Sequence, residues 1–294
     1  MRGKGKDAPK GRNVERLERM SANMDRATGD NTVTTGIAEC DELVGLYSFP
    51  KSGNTWLRAI IAAIFRVPVA DGMMAEYVID IHVGQQIGKR PWRFADRTWC
   101  FYKSHNKLPD IEQDDRVIRP DKIIYIYRHP LDIFTSYLNF LSGNVTALSQ
   151  KVFGFTFNSV DELTPEQLNH LFTRFTTHGT FDPREAAPFG NLFESIDNYT
   201  AMRDAGQPVH ILRYEDLTED FDTAVTKICA FLDVPLEEGD LDRIRSVSEG
   251  LTRGDGKFFW KRKVGTHQEY LSKAQIDTFW HRHQDRMAAL GYTR

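Results

Sequence analysis

One stretch restricts the fold of this chain more than any other. Residues 42–65, ELVGLYSFPKSGNTWLRAIIAAIF, pass from a short apolar run through a polar loop into a segment with helical spacing. The run is rich in Val, Leu and Tyr and predicts a buried strand. The helix that follows is predicted to end near Val67 and Pro68. A strand–loop–helix unit of this kind aims the first amides of its helix outward, and the helix dipole adds partial positive charge there, so an anion is stabilised. The loop looks like half of a nucleotide-triphosphate loop. Gly45, Lys51 and Ser52 keep the spacing of G-x-x-x-x-G-K-[ST], but Pro50 stands where the second glycine belongs. Gly53 permits close backbone approach, Lys51 supplies a mobile cation, and Ser52 and Thr55 supply hydroxyls. The alternative is an ordinary turn carrying a surface lysine.

The rest of the chain repeats the alternation. RTWCFYK (97–103), KIIYIYR (122–128) and PVHILRY (208–214) predict further strands, the second being β-branched and aromatic almost throughout. Helical spacing follows in LDIFTSYLNFLSG, TPEQLNHLFTRF, GNLFESIDNYTAMRDAG, FDTAVTKICAFLDVP and KAQIDTFWHRHQDRMAALGY. Residues 250–270 are Gly- and Lys-rich and read as irregular. Strands alternating with helices predict a single α/β domain, its central sheet mainly parallel and flanked by helices, over residues 39–294. Residues 1–38 are polar and predict a flexible extension with one short helix near residues 14–24, order beginning near Asp41.

Composition removes several classes of function. The net charge is −3, so no broad nucleic-acid surface is expected and any anion must be held by a local group of cations. No apolar stretch approaches the length of a membrane span, and the basic N-terminus lacks the apolar region of a secretory signal. Cys40, Cys100 and Cys229 are too few and too scattered for a disulfide framework or a zinc site. A reducing, cytoplasmic setting with no membrane partner is the simplest expectation. Nothing in the sequence sets an oligomeric state.

The strand at 122–128 decides the kind of phosphate chemistry. A magnesium-dependent kinase or NTPase places a carboxylate at such a strand end. Here the strand ends in Arg128, which repels a metal but clamps a second phosphate. Ser136 lies about two helical turns further on. Two phosphate sites and no metal ligand fit a nucleotide phosphorylated at both ends of its ribose. The competing reading is that Arg128 only pairs with Asp132.

At this point the sequence resembles the sulfotransferase family that uses 3′-phosphoadenosine 5′-phosphosulfate (PAPS) and leaves adenosine 3′,5′-bisphosphate. FPKSGNTWL is similar to the family's 5′-phosphosulfate loop, which implies nucleotide contacts for Lys51, Ser52, Gly53, Asn54, Thr55 and Trp56. YIYRHPLDIFTSY is similar to its 3′-phosphate motif, which implies Arg128 and Ser136. ILRYEDL resembles the segment whose tyrosine lies near the adenine, here Tyr214. Trp56 keeps two readings, a buried helix face or a ring stacked on adenine. CFYKSHNKLP resembles the family's Lys-Thr-His run, with Ser104 for threonine and one residue more between His105 and Pro109. The resemblance makes His105 the base, with Lys51 and Lys103 as catalytic cations; unaided, a histidine after a strand is more often a packing residue. Near the C-terminus the family carries a Gly-rich basic run over the 3′-phosphate. FFWKRKVGTHQEYLS matches it only loosely, with Lys261, Arg262 and Lys263 as a set of cations and Gly265 as a backbone contact.

The implied activity is in-line transfer of a sulfuryl group to a hydroxyl, or as a second choice an amine, of a small-molecule acceptor, without a metal. The alternatives are a magnesium-dependent P-loop kinase or NTPase and a non-catalytic nucleotide-binding protein of the same fold. Loops around 72–96 and 140–190 are expected to shape the acceptor pocket, and no pattern in them names the acceptor.

Overall fold

The apolar runs predicted as strands lie side by side in one sheet. The computed structural model describes residues 33–68, 74–142, 149–150, 153–181, 188–252 and 263–294. In chain order its elements are β1 (Val33–Thr35), β2 (Glu42–Tyr47), α1 (Asn54–Ile64), α2 (Met74–Tyr77), β3 (Val78–Asp80), β4 (Trp92–Phe94), β5 (Arg97–Ser104), β6 (Ile111–Gln113), β7 (Arg116–Arg119) and β8 (Lys122–Tyr127). Then follow α3 (Pro130–Leu141), α4 (Pro165–His178), α5 (Leu192–Asp204), β9 (Val209–Arg213), α6 (Tyr214–Glu219), α7 (Phe221–Phe231), α8 (Asp240–Leu251) and α9 (Lys273–Ala289). Single turns of 3₁₀ helix span Ile81–Val83, Val160–Glu162 and Thr266–Glu269.

The main sheet has the order β3-β5-β2-β8-β9, all parallel, with β4 antiparallel to β5 at one end. Successive side chains of a strand point to opposite faces. On β2, Val44 and Leu46 join Ile124 and Ile126 of β8 beneath α1, α7 and α8. Leu43 and Tyr47 join Ile123 and Tyr125 on the other face, with Tyr199 of α5. Both faces are covered, which is why these strands read as continuous apolar runs rather than alternating ones. A further cluster holds Phe134 of α3, Phe172 and Phe175 of α4 and Phe279 of α9. Phe157 is buried in that cluster, with Phe153 and Phe155 packed on it. The aromatic run after residue 150 therefore packs as core.

Gly45 lies inside β2, within the apolar run predicted as a strand. A Cβ there would stand 2.4 Å from the ring of Tyr47, so the glycine makes room for a buried tyrosine rather than for a phosphate. Order begins before Asp41: β1 pairs in parallel with β7, which pairs antiparallel with β6, in a small second sheet. The predicted helix near residues 14–24 lies outside the described residues. No helix is predicted over residues 240–251, where α8 lies. α8 buries Ile244 against the α1 layer, and Arg243 donates to the Ala63 carbonyl at 2.7 Å, covering an open end of α1.

The helix starts follow their capping signals. Thr164 with Gln167, Asn191 with Glu194, and Ser272 with Gln275 form reciprocal capping boxes at α4, α5 and α9. Pro130 opens α3 at its first position.

Candidate active site at the carboxyl edge of the sheet

The parallel register brings the predicted residues to one edge. Tyr47 pairs with Ser104 and Tyr125, and Tyr127 pairs with Arg213. The next residues of these strands, Ser48, His105, Arg128 and Tyr214, emerge together at the carboxyl end, where open α/β sheets bind ligands.

After β2 the chain bends sharply. Lys51 has a φ of 71°, and Gly53, the residue before α1, has a φ of 103°. A left-handed lysine costs about 1–3 kcal/mol and persists only where its surroundings hold it. Asn54 straps the loop to the strand, its Nδ2 donating to the Leu46 carbonyl at 3.0 Å and to Ser48 Oγ at 3.2 Å. At Gly53 a Cβ would lie 2.4 Å from the Tyr214 ring, so the loop and this tyrosine meet in contact. Trp56 is partly buried. It packs edge-on to Tyr214 at 5.6 Å and stacks on Phe221 at 6.2 Å, so the buried-face reading holds for one side of its ring. Thr55 sits in the first turn of α1, partly exposed.

Four predicted residues carry buried polar atoms without a hydrogen-bond partner: Ser52 Oγ, Asn54 Oδ1, Trp56 Nε1 and Arg128 Nε. Buried polar atoms are almost always paired, because an unpaired one costs about 1–3 kcal/mol. Beyond these four, such atoms among the described residues occur at Trp99 and Thr176.

Arg128 donates through Nη2 to the Lys263 carbonyl at 2.8 Å and lies over the Tyr214 ring at 4.4 Å. Its nearest approach to Asp132 is 3.8 Å, outside hydrogen-bond reach. Asp132 is engaged elsewhere. Its Oδ2 accepts the Gly265 N–H at 2.8 Å, and its Oδ1 accepts from the Thr266 hydroxyl at 3.2 Å and from the His267 N–H at 3.1 Å. His267 Nδ1 lies 2.7 Å from the same Oδ1. Burial alone would raise this carboxyl. The His267 hydrogen bond and the Arg128 charge override it and hold the group at about 2. His129 stacks on His267 at 4.7 Å, and burial, with the His267 charge, lowers it to about 4. The Gly265 amide, expected as a ligand contact, is thus given to Asp132. Lys263 presents its carbonyl to Arg128 and an exposed side chain. Lys261 and Arg262 lie outside the described residues. Ser136 sits half-buried on α3.

His105 follows β5. Its Nδ1 lies 2.9 Å from the Ser48 carbonyl and 3.2 Å from Ser48 Oγ. A carbonyl only accepts, so Nδ1 carries the proton and Nε2 keeps its lone pair. Burial, then the charges of Lys103 and His82, push this imidazole well below its ordinary range, so it is neutral and able to accept a proton at pH 7. Burial, then Lys103 and Arg128, lower the Lys51 amine to about 8. Lys51 also lies over the Phe140 ring at 4.8 Å. Lys103 is paired: its Nζ meets Asp80 Oδ2 of the neighbouring β3 at 2.9 Å, both ends largely buried.

The backbone after His105 is held from below. Tyr199 donates its hydroxyl to the Asn106 carbonyl at 2.9 Å, Asn198 donates to the Lys107 carbonyl at 3.1 Å, and Tyr47 donates to the Pro109 carbonyl at 2.6 Å. Sequence reading missed one neighbour, His82. It lies in the turn after β3, and its ring stacks on that of His105 at 5.4 Å. No motif marks it. Only the pairing of the short β3 with β5 places it there.

The sulfotransferase-domain family model matches residues 41–291. Cytosolic sulfotransferase 14 of Arabidopsis thaliana is 22% identical over 290 residues, covering 86% of this chain and 77% of that protein. The 3-alpha-hydroxysteroid sulfotransferase of Cavia porcellus is 24% identical over 282 residues, 84% of each. Among solved structures, mouse sulfotransferase SULT7A1 complexed with PAP superposes with a TM-score of 0.55 at 17% identity, covering 86% of this chain and 85% of that one. That likeness is one of fold.

Proposed function

The chain belongs to the sulfotransferase-domain family, and from that premise we propose that it moves the sulfuryl group of PAPS to a hydroxyl of a small-molecule acceptor, with His105 as base. One observation carries the reading: the unpaired polar atoms of Ser52, Asn54, Trp56 and Arg128 belong to the residues expected to hold the nucleotide. Ser52 Oγ, Trp56 Nε1 and Arg128 Nε can donate to a phosphorylated nucleotide, while Asn54 Oδ1 can accept from one of its hydroxyl or amino groups. Lys51, Ser52, Gly53, Asn54 and Thr55 would hold its 5′ end, Arg128 and Ser136 its 3′-phosphate, and Trp56 and Tyr214 its base. Lys263, Lys261 and Arg262 remain candidates for the 3′ side, with Gly265 tying that segment to Asp132; Lys263 supports Arg128 through its carbonyl.

When bound, the nucleotide supplies an activated sulfuryl group. His105 Nε2 takes the acceptor proton, and the Ser48 carbonyl keeps the ring in the tautomer this requires. Lys51 and the first amides of α1 meet the negative charge that builds on the leaving phosphate. These are positioning and electrostatic contributions, fixed before the reaction begins. Lys103 acts through Asp80, holding positive charge near the base rather than reaching the reacting atoms alone. The arginine at the end of β8 supports a reaction that uses no metal. Phe189 lies edge-on to His105 at 6.1 Å, which favours an acceptor with an apolar body. A hydroxyl is preferred to an amine, since a neutral base with a lowered pKa matches a hydroxyl proton only as sulfur–oxygen bonding begins. A cytoplasmic setting goes with this reading.

Thermal denaturation in EDTA separates the readings. Stabilisation by adenosine 3′,5′-bisphosphate is expected. A requirement for ATP with magnesium would make the protein a kinase or NTPase. An acceptor screen with PAPS, read by mass spectrometry, is expected to return a sulfated hydroxyl compound. Nucleotide binding without transfer to any acceptor would leave a binding protein.

A further inference from the structure

His82 is a buried-side neighbour of the base that the chemistry above leaves unused. Its Nε2 accepts the backbone N–H of His105 at 2.7 Å. A ring nitrogen that accepts holds no proton, so His82 is a neutral imidazole with its proton on Nδ1. The two rings lie nearly parallel, 14° apart, and Phe189 stands edge-on to both. His82 is itself fixed, because Asp80 Oδ1 accepts its backbone N–H at 3.0 Å while the other Asp80 oxygen binds Lys103.

We infer that His82 is the positioning residue of the base: its Nε2 holds the His105 backbone where Nδ1 reaches the Ser48 carbonyl. The inference rests on His105 being the base. With the Ser48 contact alone the ring pivots on one hydrogen bond. The backbone contact adds a second fixed point, and the stacked face of His82 blocks rotation to that side. His82 performs this task only while neutral. Protonation turns its accepting nitrogen into a donor facing the His105 N–H, and the bond is lost. Among the described residues, the charged and titratable groups near it include Asp80 on β3, Lys103 and His105 at the end of β5, and Arg58 of α1, which donates to the Val78 carbonyl at 2.9 Å. Transfer therefore needs two neutral histidines, one to take the proton and one to aim it.

The test compares His82→Leu, which keeps bulk without an acceptor, with His82→Gln, whose amide oxygen replaces Nε2. In His82→Leu, kcat for the acceptor returned by the screen is expected to fall about 10- to 100-fold, the size of a small misplacement of a reacting group. KM for PAPS and stabilisation by adenosine 3′,5′-bisphosphate should stay as in the wild type. His82→Gln should regain most of the turnover. Its acid limb of log kcat against pH should lose one protonation step relative to the wild type. Ring-nitrogen NMR supplies an arm that needs no acceptor: His105 should show a single Nδ1–H tautomer in the wild type and His82→Gln, and a mixture in His82→Leu. Equal kcat and an unchanged tautomer in all three proteins overturn the inference, as does equal loss in Leu and Gln variants. A wild type that binds no adenosine 3′,5′-bisphosphate and transfers nothing overturns the enzyme reading instead, while the NMR arm still decides what His82 does.

Discussion

Two polar clusters share the carboxyl edge of the sheet, and they close their hydrogen bonds differently. Around α1 the polar side chains are strapped at one end and open at the other. Asn54 uses its Nδ2 on the strand below and leaves Oδ1 unpaired, and Ser52 Oγ is buried with no partner. Around Asp132 the reverse holds, for its carboxylate takes hydrogen bonds from Gly265, Thr266 and His267. Both sites gather charge in a buried place. The first stores unmet hydrogen-bonding capacity, and the second spends it on fastening a distant segment of the chain. The contrast separates residues proposed to hold a ligand from residues that hold the fold, although the sequence motif joins Arg128 and Asp132 within five positions.

Substitutions should divide the two clusters along that line. The largest effect is expected at His105. His105→Ala should lower turnover by about two to four orders of magnitude, with little change in melting temperature or nucleotide binding. Full turnover in this variant removes His105 from the role of base. Asp132→Ala should act mainly on the fold, costing about 3–5 kcal/mol because the buried donors of Gly265, Thr266 and His267 lose their acceptor and Arg128 loses a nearby counter-charge; urea denaturation measures it. Should Asp132→Ala melt like the wild type yet lose nucleotide binding, the division between the clusters fails. Gly53→Ala should cost about 1–3 kcal/mol and weaken adenosine 3′,5′-bisphosphate binding, since a Cβ meets the Tyr214 ring and the backbone is left-handed. The smallest effect is set by pH. Lys51 titrates at about 8. Phosphate binding favours its charged form, so affinity should fall as pH rises through about 8, by no more than about tenfold per pH unit for one proton. Calorimetry across that range checks it, and Lys51→Arg should flatten the profile.

The strands of the main sheet, the loop after β2 and the cations at its edge were legible because each is local. An apolar run, a glycine and a lysine at fixed spacing carry their meaning within a dozen residues. What was missed is non-local. β1 and β3 are three residues long and exist by pairing with β7 and β5. α8 is polar on most of its surface and is held by Ile244 and Arg243 against α1. Gly45 keeps the spacing of a nucleotide loop, but spacing alone does not show that this strand glycine yields space to Tyr47. The role of Gly265 shows the same gap: a glycine at the right place in a motif offers an amide, and only the packed chain shows that Asp132 takes it. The position of His82 depends on the neighbour of a three-residue strand, which no periodicity announces.

The grips beneath residues 106–109 have a consequence for how such a chain can diverge. All three fall on main-chain carbonyls, of Asn106, Lys107 and Pro109. A carbonyl is the same in every amino acid, so these grips do not read the side chains above them. Side chains after His105 can change without loosening these three grips, while the imidazole keeps its address. Conservation of shape here needs little conservation of letters, and new acceptors can be explored one side chain at a time.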